Sequence, residues 1–167
     1  VSAFLLNRSS DLGPFVGKVN MDRNSPDYYC EESAEASLEA TREWPMQSEQ
    51  FHNVRPIITP RFTPSCTDAL MTGLGAIASR NHLAVQSHLS ENLSEIDWVK
   101  ELCPDSENYM GTYINAGLAA PGRKSIMAHC VYSDEREIQM MKDNDTYAIH
   151  CPQCNMNIAS GIAPVRK

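Results

Sequence analysis

The sequence predicts an α/β fold built on parallel strands, and two observations carry that prediction. Five short apolar, β-branched runs of strand length recur along the chain: PFVGKVNM (14–21), RPIITPRF (55–62), LAVQSHLS (83–90), SIMAHCVY (125–132) and TYAIHCP (146–152). Helix-like segments and short loops separate them, and parallel neighbours require such crossovers. A doubly wound sheet and a (β/α) barrel both satisfy this pattern.

Taken in order, the first run is followed by a Pro- and Asn-containing loop over 24–29. After the second, Ser65 with Asp68 makes a capping-box-like start to a helix that places Leu70, Leu74 and Ile77 on one face. Asn92 is a candidate cap for the next helix, with Ile96, Val99 and Leu102 turned inward. A shorter helix is expected over 108–116, closed by Gly117, and Ser133 with Asp134 and Glu135 opens another with acid at its N-terminus. No internal repeat, low-complexity tract or internal linker interrupts the series.

Composition narrows the function classes. With 167 residues, 42% hydrophobic and 21% charged, the chain suits one globular domain rather than a disordered segment. A net charge of −7 and the lack of a basic run argue against a nucleic-acid surface. No stretch approaches the roughly 20 apolar residues of a membrane span, and VSAFLLNRSS lacks the features of a secretory leader. A cytoplasmic location is therefore expected, and the six scattered cysteines read as reduced thiols.

In α/β folds, functional groups gather where strands end and βα loops begin. The second run ends at Arg61 and Phe62, the third at His88 with Glu91 three residues on, the fourth at His129 and the fifth at His150. Two neutral imidazoles from neighbouring strands can converge on one zinc or iron ion, and His88 with His129 is the natural pair. Glu91 would overhang that site as a general base and then a general acid.

Plainer readings stand beside these. A histidine in an apolar strand serves equally as a hydrogen-bonded core residue, and Arg61 equally as a surface cation. His52 and His82 read as solvated, and Asp22 with Arg23 as a local pair. Gly73 and Gly75 echo a phosphate loop but fall inside a helix pattern, and Ser87 lacks the G-x-S-x-G setting of a serine nucleophile. HCPQCN (150–155) holds a C-x-x-C, yet a four-cysteine zinc site needs a second such motif, which the sequence lacks. The cytidine-deaminase signature, H-x-E with P-C-x-x-C, is absent too.

In this order and at similar spacing, VGKVNMDRNSPDY (16–28), ITPRF (58–62), QSHLSEN (86–92), MAHC (127–130) and the HCPQCN frame resemble the guanine deaminases of the amidohydrolase superfamily, over nearly the whole chain. The resemblance implies a zinc-dependent (β/α)8 TIM-type barrel, with one ion per active site, that hydrolyses guanine to xanthine and ammonia. It implies His88 and His129 as metal-facing histidines, Glu91 as the proton shuttle, and Arg61 with Phe62 as the holders of the purine. His150 and Asn155 become supporting groups beside the metal, and the C-x-x-C becomes the accident of Cys154 standing where the family typically has Ser.

The same resemblance matches the five runs to about strands three to seven of eight. Residues 1–167 are then a single partial barrel domain lacking the first two strands and the last, and with them an H-x-H pair and a final Asp that the family uses. A piece of this kind, expressed alone, is expected to be poorly soluble and inactive, whereas the full-length protein is expected to be a homodimer. Two rival readings remain: a related amidohydrolase acting on another aminated heterocycle, and a noncatalytic barrel that has lost its metal ligands.

Overall fold

The computed structural model describes residues 13–164; the N-terminal stretch read above for a leader lies outside them. The first run forms β1 (Phe15–Val16) and β2 (Val19–Asn20), and the second forms β3 (Arg55–Pro56) and β4 (Thr59–Pro60). The remaining runs give β5 (Val85–Leu89), β6 (Ser125–His129) and β7 (Thr146–Ile149). Pairing is parallel throughout: β1 with β3, β2 with β4, and β5 with β6 with β7. A parallel bridge from Ile58 to Val85 joins the second run to the third. There Ile58 N–H donates to Ala84 O at 3.0 Å and Gln86 N–H donates to Ile58 O at 2.9 Å.

Spatial order thus follows chain order with no reversal, the arrangement of a barrel wall; a doubly wound sheet reverses at its switch point. Helices fill the crossovers: α1 (Ala34–Ser48), α2 (Asp68–Arg80), α3 (Leu93–Leu102), α4 (Tyr109–Asn115), α5 (Glu135–Asp143) and α6 (Pro152–Asn157). Leu70, Leu74 and Ile77 of α2, Val99 of α3, Met110 and Tyr113 of α4, and Met140 and Met141 of α5 make one core with Val85, Leu89 and Met127. Burial of this apolar face is what holds the helices to the strands. Among the described residues, no helix is long and apolar enough to cross a membrane.

Several local expectations change. α1 does not show in the sequence as an amphipathic pattern, because its buried face is mostly polar: Ser37, Leu38, Thr41 and Ser48. Buried Asn20 satisfies it, its Nδ2 donating to Ser37 Oγ at 2.8 Å and Thr41 Oγ1 at 2.7 Å. The cap of α2 is Thr67 rather than Ser65; Thr67 Oγ1 accepts from Leu70 N–H at 3.3 Å. Ser65 lies in a 3₁₀ turn, Thr63–Ser65.

Asp22 and Arg23 do not pair with each other. Asp22 accepts the Thr67 N–H at 2.7 Å and its hydroxyl at 2.6 Å, while Arg23 donates to Thr63 O at 3.1 Å. Both therefore clamp the loop after β2 onto the loop that follows Arg61 and Phe62.

Register decides which face looks away from the helices. Val85 and Leu89 belong to the helix-covered core, so Gln86 and His88 face the other way, level with Ile126 and Ala128. Tyr147 and Ile149 of β7 continue that row and are 55% and 45% exposed. Among the described residues, neither the outer edge of the first run nor that of β7 has a strand partner.

Candidate active site

His88 and His129 end neighbouring strands, and their rings stack with centroids 5.2 Å apart and planes inclined by 24°. Alternation alone would not bring them together. His129 is in register with Leu89, which faces the helices. At His129 and Cys130, however, φ is 75° and 48°, a left-handed backbone that non-glycine residues adopt rarely and chiefly where something over-determines it. This turn of the backbone swings the His129 ring beside His88.

The proton positions follow from the partners. His88 Nδ1 lies 2.6 Å from the carbonyl oxygen of Arg61, and a carbonyl only accepts, so Nδ1 carries the hydrogen. His129 Nδ1 lies 2.7 Å from Asn155 Oδ1 and 3.1 Å from Glu91 Oε1, again acceptors. Both imidazoles are thereby held in the tautomer that leaves the Nε2 lone pair free. Neither Nε2 forms a hydrogen bond among the described residues. Burial is the main cause that lowers the His88 pKa, opposed by its bond to Arg61 O, and it favours the neutral ring that a metal requires.

This donor set fits a divalent ion, with outer oxygens orienting each ring as they do in metal-binding histidines generally. It supplies part of a site. Catalytic centres usually take three protein ligands and a water, and among the described residues no three His, Cys, Asp or Glu side chains gather to hold a metal.

Arg61 is exposed on the same rim, and its guanidinium carbon sits 5.2 Å from the centre of the Phe62 ring. Phe62 meets Trp98 of α3 edge-on at 6.3 Å. Trp98 belongs to no motif in the sequence; its place one helical turn beyond Glu95, on the helix that Glu91 introduces, is the signal available for it. The backbone of Arg61 is fixed from beneath. Ser87 Oγ lies 2.8 Å from Pro60 O, 3.1 Å from Arg61 O and 2.9 Å from the Tyr113 hydroxyl, which itself donates to His88 O at 2.8 Å. Ser87 is thus a buried strut.

His150 is exposed just past β7 and makes no hydrogen bond among the described residues. Asn155, by contrast, is fully buried in α6, and it is the residue of this segment that touches His129. Cys151 and Cys154 are both unpaired, as are the four other cysteines. Burial pushes the Cys66 thiol up to about 11 and the Cys130 thiol up to about 12, which keeps both protonated and unreactive.

Fold and site define a class: a (β/α) barrel wall whose C-terminal rim offers two imidazoles and a carboxylate. The chain belongs to the amidohydrolase family, whose profile matches residues 3–167. It is 44% identical over 157 residues to a probable guanine deaminase of Schizosaccharomyces pombe, covering 92% of this chain and 29% of that protein. Against the guanine deaminase of Homo sapiens the identity is 38%, covering 90% of this chain and 33% of the other. The crystal structure of a guanine deaminase from C. acetobutylicum with guanine bound in its active site superimposes with a TM-score of 0.87 at 46% identity, covering 93% of this chain and 37% of that one. The chain therefore spans about a third of the length of these relatives.

Proposed function

We propose that this chain forms strands three to seven of a guanine-deaminating barrel, catalysing the reaction of guanine and water to xanthine and ammonia. The observation that carries this reading is the pair of stacked imidazoles with Nδ1–H groups anchored and Nε2 atoms open, beside a carboxylate on the same rim. Its likeness to the guanine-bound structure, at 46% identity, supports guanine as the substrate.

His88 and His129 would hold a zinc ion through Nε2, together with ligands from outside the described residues; when bound, the ion lowers the pKa of water and polarises the substrate. Glu91 carries the proton. Its carboxylate removes a proton from the attacking water and delivers it to the amino nitrogen as the carbon–nitrogen bond breaks, so ammonia leaves neutral. The His129 Nδ1 atom, 3.1 Å from Glu91 Oε1, stands beside the carboxylate throughout those two tasks. Arg61 donates hydrogen bonds to the purine, and Phe62, braced on Trp98, packs against its face.

The test is turnover of guanine by the complete protein, followed by ultraviolet absorbance, with adenine, cytosine and 8-oxoguanine in parallel. Glu91→Gln, which preserves shape and removes the base, is expected to lower kcat by about 10²- to 10⁴-fold while metal content stays constant. Full activity in that variant, or preference for another heterocycle, would overturn the assignment.

A further inference from the structure

Beyond the histidines and Glu91, the most deeply buried carboxylate among the described residues is Glu137 in the first turn of α5, 4% exposed against 9% for Glu95. No Lys, Arg or His among the described residues forms an ion pair with it. An unpaired buried carboxylate is costly unless hydrogen bonds satisfy it. Packing alone would be served by a methionine, as at Met140 and Met141 on the same helix. What Glu137 holds is therefore informative.

Its Oε2 accepts the Ser90 hydroxyl at 2.7 Å, and its Oε1 accepts the Met110 N–H at 3.0 Å in the first turn of α4. Ser90 has φ of 47°, another left-handed backbone on a non-glycine residue. Its carbonyl in turn accepts the Tyr132 N–H at 3.0 Å. Ser90 is thus pinned through its side chain by α5 and through its backbone by the loop after β6. It stands between His88 and Glu91, the very step at which the chain leaves β5.

We propose that Glu137 is a positioning residue: by holding Ser90 in its left-handed turn, it aims the Glu91 carboxylate at His129 and the substrate. This rests on the reading of Glu91 as proton carrier. A displacement of about 1 Å in such a group costs on the order of a hundredfold in rate, so a buried carboxyl group in the adjoining layer has a kinetic consequence without touching substrate.

The experiment compares Ser90→Ala, Glu137→Ala, the double variant and Glu137→Gln in the complete zinc-loaded protein. Either alanine variant is expected to lose about tenfold to a hundredfold in kcat per folded molecule, with KM within about twofold and metal content unchanged. The double variant should be no slower than the slower single, as for two parts of one device. Glu137→Gln keeps an oxygen for Met110 and an amide for Ser90 Oγ, and should recover most of the loss seen in Glu137→Ala. A purely structural Glu137 would lower the melting temperature while leaving kcat per folded molecule intact, and that result overturns the proposal. Hydrogen exchange supplies an arm that needs no substrate: the Tyr132 and Met110 amides should exchange faster in Glu137→Ala and be restored in Glu137→Gln. Unchanged exchange overturns the proposal as well. If wild type ignores guanine, the substrate assignment fails, and the exchange result alone decides this one.

Discussion

Replacing Gly75 by alanine drives a methyl group into backbone. A Cβ there would stand 1.9 Å from Ala116 O and 3.0 Å from both Ala116 C and Gly117 C, roughly 1.5 Å short of van der Waals contact with the oxygen. These atoms form the exit of α4, where Gly117 turns left-handed with φ of 69°, so α2 and that turn must separate. Overpacking of this severity costs about 3 kcal/mol, and the helix propensity of alanine returns about 1 kcal/mol. The net loss of about 2 kcal/mol corresponds to a fall in Tm of about 4–8 °C.

Gly73→Ala is the internal control. The three atoms nearest to its Cβ would all belong to the Leu38 side chain, Cδ1 at 2.5 Å, and a leucine can change rotamer. That variant should stay within about 1 kcal/mol of wild type. Thermal and urea unfolding of the two variants gives the comparison. If Gly75→Ala proves as stable as Gly73→Ala, the close approach of α2 to α4 is wrong. The same pair also tests the phosphate-loop echo of this segment, since a loop that cradled phosphate would respond in nucleotide binding rather than in stability.

Two further outcomes follow from the site. Asn155→Ala removes the oxygen 2.7 Å from His129 Nδ1 and is expected to weaken zinc binding by about 10- to 100-fold in a chelator competition; equal affinity would show that Asn155 does not orient the ring. Burial raises the Glu95 pKa despite the bond from Tyr109 at 2.6 Å, so the native state retains a proton that the unfolded chain releases above its ordinary value. Stability from this group is present below that value and is lost as pH climbs through the raised one. Urea midpoints at pH 4 and pH 7 should therefore fall with rising pH more steeply in wild type than in Glu95→Gln, and parallel slopes would contradict it.

The barrel wall was legible because β-branched runs and intervening caps are local signals, each readable within a few residues. The rim was legible for a related reason: parallel strands in chain order bring all their C-terminal ends to one side, so Arg61, His88 and His129 had to share it once the fold was known. What no pattern carried was the side to which His129 turns. Period-two alternation sends it with Leu89 toward the helices, and only the left-handed backbone at His129 and Cys130 reverses that. α1 escaped for the opposite reason, since its buried face is satisfied by hydrogen bonds to Asn20 and shows no apolar period.

HCPQCN joins both lessons. By residue type its histidine and two cysteines make a metal motif, yet Cys151 and Cys154 are unpaired and His150 is exposed. The residue that reaches the site is Asn155, whose amide oxygen fixes the histidine that ends β6 across 26 positions of sequence. Such a contact depends on α6 beginning at Pro152, where the missing N–H and fixed φ of proline suit the first turn. That start places position 155 one turn in, facing inward beneath β6. The feature that matters in this stretch is therefore a helix start and an amide, and a reading that sought ligands by residue type alone would pass over both.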